Sequence, residues 1–130
     1  MIRTLIALIL LMHGVGHLLF LGNAWGYWTT GSGRSWLFDN TLGLQHTVEG
    51  IVGLLWMVPL VAFVAVAGGY FANQGWWPRW AVVAAVISLG LVVVWWGGIN
   101  SSSAFFALVV NAAVIGLALW QPDAAPLVEP

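Results

Sequence analysis

The chain has 130 residues, 62% hydrophobic and 5% charged, with a formal net charge of −1. Soluble domains carry about 25% charged residues, so this composition cannot cover a water-facing surface and points to an integral membrane protein. Three arginines and no lysine make no basic patch for nucleic acid, and the lack of cysteine excludes disulfides, thiolate metal sites and iron–sulfur clusters.

A helix crossing the hydrocarbon core needs about 20 apolar residues. The first such run covers about residues 4–22. Arg3 followed by this run has the outline of a secretion signal, but His13 and His17 inside it favour a retained transmembrane helix. Residues 23–40 break the pattern with Gly26, Gly31 and Gly33 while keeping Trp25, Tyr27, Trp28, Trp36 and Phe38. Such a stretch is expected at headgroup level over one mouth of the bundle, as an anchor or as a lid. The second span, about 42–70, exceeds what a bilayer requires, so a tilt or a kink at Pro59 is expected. Asn73, Gln74, Gly75 and Pro78 form a tight connection. The third span covers about 80–96, a second turn 97–103, and the fourth span about 104–120. The proline-containing tail 121–130 is expected to be exposed and disordered.

Tryptophans cluster at nearly every predicted span end, where indoles anchor at the interface. The fold expected is therefore an all-α integral membrane protein: one domain, a four-transmembrane-helix bundle with short turns and one aromatic-rich interfacial loop. Arg3 and Arg79 then share one membrane side and Arg34 the other, which favours a multi-pass protein of the cell (inner or plasma) membrane with a cytoplasmic N-terminus.

The polar residues inside the spans are few. His13-Gly14-Val15-Gly16-His17 lies in the first, and Gln45-His46-Thr47-Val48-Glu49 opens the second. Together they hold all three histidines and the only acid within an apolar run. On a helix His13 and His17 fall about 40° apart on one face, shared with Gly16 and Phe20, and Gly16 offers room for another helix to approach. His46 and Glu49 share a stripe with Gly50 and Gly53. At 1.5 Å per residue His13, Glu49 and Asn111 lie at similar depths, about 10–14 Å from the loop side, with Ser88 somewhat deeper. Alanines 104, 107 and 118 share the Asn111 face, and alanines 81, 84 and 85 surround Ser88. Ionisable groups in a bilayer usually face the bundle interior, so one shared site is expected.

Three chemistries suit it. His13, His17, His46 and Glu49 could ligate a transition metal ion, since an i, i+4 histidine pair can hold a metal from one helix. One or two of His13, His17 and His46 could be axial ligands of a haem or a (bacterio)chlorophyll, although His13 and His17 cannot take opposite faces of one ring. Glu49 with a histidine could handle protons beside a quinone. Asn111, Gln45 and Ser88 would be supporting polar groups. Against these stands a ligand-free hydrogen-bond network that fixes helix register. No nucleophile elbow or phosphate loop is present, so no catalytic residue is assigned and an enzyme is not favoured.

The stretch Leu10-Leu11-Met12-His13-Gly14-Val15-Gly16-His17-Leu18, the Trp-rich turns and Asn111 in the last helix resemble small four-span bacterial membrane proteins. In its His-Gly pair the first helix is also similar to the DoxX-like group, with His17 near the place of that group's basic residue. The resemblance implies a four-helix bundle and no specific activity. The function expected is a small membrane subunit or accessory protein with a buried His/Glu cofactor site, packed against a larger membrane complex or in a homo-oligomer.

Overall fold

The computed structural model describes residues 1–27, 32, 34–41, 51 and 53–120. Among the described residues the chain is helical and contains no strand. Helix α1 is Ile2–Ala24, α2 is Met57–Phe71, α3 is Trp77–Val94 and α4 is Ser101–Trp120. With the 3-10 turn Leu54–Trp56 that leads into α2, all four are long and apolar enough to cross a membrane, and short turns join α2 to α3 and α3 to α4. The tail 121–130, and residues 28–31 and 33 of the loop expected over the bundle mouth, lie outside the described residues.

Local chemistry explains where the helices begin. Pro59 falls in the first turn of α2, where a missing N–H costs little, and the irregularity expected there is the tightened turn just ahead of it. Pro78 likewise sits in the first turn of α3, so that helix starts at Trp77 rather than near Trp80. Helix α4 reaches back to Ser101 because the Asn100 side chain caps it, accepting the Ser102 backbone N–H at 3.0 Å.

The helix ends are tied to other parts of the chain. At the end of α2, Asn73 takes a left-handed conformation (φ 58°) and the Gln74 N–H closes onto the Gly69 carbonyl at 2.9 Å, a stop that asparagine tolerates well. Arg3 donates to the Tyr70 carbonyl (3.1 Å) and to Asn73 Oδ1 (2.5 Å), binding the start of α1 to the end of α2 with a cation where the helix dipole favours one. At the far end the Ser35 hydroxyl and the Trp36 indole donate to the Val94 and Val93 carbonyls (2.8 and 2.6 Å), so the loop satisfies the open C-terminus of α3. A side chain at Gly98 would run into the Arg34 backbone of that loop.

Helix α1 packs mainly on α2, α2 on α3 and α3 on α4. Gly14 is the contact point of α1 with α2: a Cβ there would lie 2.9 Å from Phe63 Cβ and 3.2 Å from the Leu60 carbonyl. This corrects the expectation for Gly16, beside which a Cβ would meet nothing within 4 Å. The tryptophans also divide. Trp80, Trp96 and Trp120 are exposed as interface anchors should be, whereas Trp56, Trp77 and Trp95 are buried in the bundle. Trp77 stands edge-on to Tyr70 and Trp95 edge-on to Trp56, so tertiary packing claims indoles that position alone assigned to the headgroups.

Candidate functional site

Two apolar clusters fill the bundle, one around Leu10, Phe63, Ala81, Ala85 and Val114, the other around Leu21, Trp56, Val92, Trp95 and Ala107. Between them, at intermediate positions of α1, α3 and α4, sit His13, His17, Ser88 and Asn111. All four are buried, His13 at 8% exposure and the others at 1% or less. The structure thus brings together four of the seven residues expected at the site. Gln45, His46 and Glu49 lie outside the described residues.

The small neighbours predicted around these groups are what let them meet. Ala81, Ala84 and Ala85 on α3 and Ala104, Ala107 and Ala118 on α4 are all buried, so these helices approach closely enough for short side chains to span the gap. Phe63 of α2 supplies the remaining wall, edge-on to His13 (4.7 Å between ring centroids) and stacked against His17 (5.9 Å). A phenylalanine in an apolar run carries no sequence signal for such a role.

The hydrogen bonds fix every donor and acceptor in sequence. Asn111 Nδ2 lies 2.8 Å from the Ala107 carbonyl, which can only accept, so the amide nitrogen must face that side. Its second hydrogen goes to Ser88 Oγ at 2.9 Å. Asn111 Oδ1 is then the acceptor facing His13 Nε2 at 3.2 Å, and His13 must carry its proton on Nε2. On the other branch, His17 Nδ1 donates to the His13 carbonyl (2.9 Å) and stands near that of Gly14 (3.3 Å). A neutral His17 therefore has its lone pair on Nε2, where it accepts the Ser88 hydroxyl hydrogen at 2.9 Å.

One nitrogen is left over. His13 Nδ1 bears a lone pair and is bonded to nothing among the described residues. His13 also lines a groove of about 690 Å³ between α1 and α4, walled by Leu8, Ile9, Met12, Phe20, Phe106 and Val110, with Gly16 opening its side. That volume lies within the range of about 300–1,000 Å³ typical of ligand sites. A second orphan, the Trp56 indole N–H, is buried beside His17 and Phe20 with no acceptor among the described residues.

This donor set discriminates among the expected ligands. A metal ion shared by His13 and His17 would need both lone pairs, and that of His17 is engaged by Ser88. Among the described residues no group of three histidines, cysteines or acids could enclose an ion. A tetrapyrrole brings four nitrogen ligands of its own and requires one axial imidazole, which His13 can provide. Comparison with family models, with curated proteins and with solved structures gave no match, so the site is read from its own geometry.

Proposed function

We propose that this chain is a small multi-pass membrane accessory protein that holds a metallo-tetrapyrrole, a haem or a chlorophyll-type pigment, in the groove between α1 and α4. His13 would hold its metal through Nδ1. One observation carries the reading: the Nε2–H of His13 is held by Asn111 Oδ1, leaving a free lone pair on Nδ1 in a residue that lines an apolar groove. Metal-ligating histidines almost always donate their other N–H to a fixed acceptor, which sets the tautomer and raises basicity. Asn111 is itself immobilised by Ala107 and Ser88. The bound group would supply redox or light-absorbing chemistry, while the chain's own residues orient it and keep water away. Packing against a larger membrane partner is part of this reading, and the metal-ion alternative rests on His46 and Glu49.

Titration of the detergent-purified protein with ferric protoporphyrin IX tests this. Wild type should develop a Soret band with saturable binding, His13→Ala should lose it, and His17→Ala should keep it. Binding unchanged in His13→Ala, or absent from wild type, removes the reading and leaves the network as a purely structural one. A quinol is the second reading, favoured by the same lone pair, which accepts from a hydroxyl and cannot donate to a quinone carbonyl. Protection of the groove by a quinol analogue, without any affinity for porphyrin, would select it.

A further inference from the structure

The groove has polar groups at two places and apolar carbon between them. Inside is His13, nine-tenths buried, with its unbonded Nδ1. At the mouth are Ser102 and Ser103, in the first turn of α4, where the dipole is positive and the Ser103 backbone N–H has no helical partner, that of Ser102 being capped by Asn100 Oδ1. The Ser102 hydroxyl is committed to Asn100 Oδ1, which leaves Ser103, half-buried in the groove wall, as the side-chain donor available there. Arg34 lies at this same end, its backbone against Gly98 just ahead of α4. His13 meets the α4 side chain of Asn111, which leans toward the helix N-terminus, so the two polar places are separated by about 6–12 Å along the helix.

On the strength of the tetrapyrrole reading above, we infer that the ligand retains free carboxylates and binds with them at the Ser103 end of α4 and its metal at His13. An acidic edge would stay at the water boundary, where ionised groups are cheap, and Phe20 and Phe106 of the apolar groove would line the ring. A fully esterified pigment offers the α4 N-terminus only neutral ester carbonyls, weaker acceptors with no charge for the dipole to stabilise.

Zinc protoporphyrin IX and its dimethyl ester separate the two claims when each is titrated, in one detergent, into wild type, Ser103→Ala and His13→Ala, all checked for monodispersity and helicity. The free acid should bind wild type at least tenfold more tightly than the ester. Ser103→Ala should shrink that ratio several-fold, weakening the acid more than the ester; comparing ratios cancels the different partitioning of the two compounds into micelles. Equal binding of acid and ester to wild type, both lost in His13→Ala, overturns the carboxylate inference and leaves the tetrapyrrole reading standing. Binding of neither compound, or binding indifferent to His13, overturns both.

Discussion

Gly14 and Gly16 stand two residues apart on one helix and serve opposite seams. At Gly14 the missing side chain is occupied space: Phe63 Cβ and the Leu60 carbonyl stand within contact distance of any added carbon. At Gly16 the missing side chain leaves space open, in the wall of the groove facing α4. The α1–α2 seam is closed by backbone proximity and by Arg3 at its end; the α1–α4 seam is bridged by the His13–Asn111 hydrogen bond over an otherwise open groove. In lipid there is no hydrophobic drive to close a gap between helices, so a seam without close packing or polar links can stay open to a ligand.

The closed seam should be the more sensitive to volume. Gly14→Ala places a carbon against a neighbouring Cβ and a backbone oxygen, neither of which can rotate away, and overpacking of this kind costs about 1–3 kcal/mol. A fall in thermal midpoint in detergent is expected, and Gly14→Leu should fail to give monodisperse protein. A Gly14→Leu variant as stable as wild type would show that α1 does not cross α2 here.

Asn111→Leu comes next. It leaves His13 Nε2–H without its acceptor and removes a donor from Ser88 in a dry layer, at about 1–3 kcal/mol for buried polar groups left unpaired. Porphyrin affinity should also fall about 10–100-fold, as for other outer-shell partners of a ligating histidine. If stability falls and affinity does not, Asn111 only holds the helices together. Arg3→Met should matter less, about 0.3–1 kcal/mol at low ionic strength and less in salt, because the tie it removes is exposed. Thermal scans at two salt concentrations would show it.

The sequence made the polar layer legible and left the seams illegible, for a physical reason. Helical periodicity and rise placed His13, His17, Ser88 and Asn111 on inward faces and in one half of the bilayer, and the structure joins those four by hydrogen bonds. Angular position alone does not say which helix lies on which side of that face. Gly14 and Gly16 flank the histidine stripe, and only the helix order of the bundle decides that one meets α2 and the other the groove. Phe63, the burial of Trp95 against Trp56 and the Ser35–Trp36 cap on α3 were beyond reach on the same ground, being contacts between segments with no periodicity in common. His46 and Glu49, which promised a metal cage, fall outside the described residues, so that expectation is carried by their sequence alone.

Gly16→Leu has the smallest expected effect on stability and bears most directly on the ligand. No atom stands within 4 Å of the position a Cβ would take, so the added side chain neither strains α1 nor displaces a neighbour. Glycine also costs about 1 kcal/mol relative to good helix formers, so the variant should melt at or slightly above the wild-type temperature. The new isobutyl group nonetheless enters the groove wall between His13 and Phe20, where a flat ring would have to lie. Loss of porphyrin binding with stability kept would separate occupation of the groove from integrity of the bundle, which no substitution of His13 or Asn111 can do cleanly because both hold the polar layer together. Full binding in a stable Gly16→Leu protein would place the ligand elsewhere, and the α1–α4 opening would then be a gap filled by acyl chains.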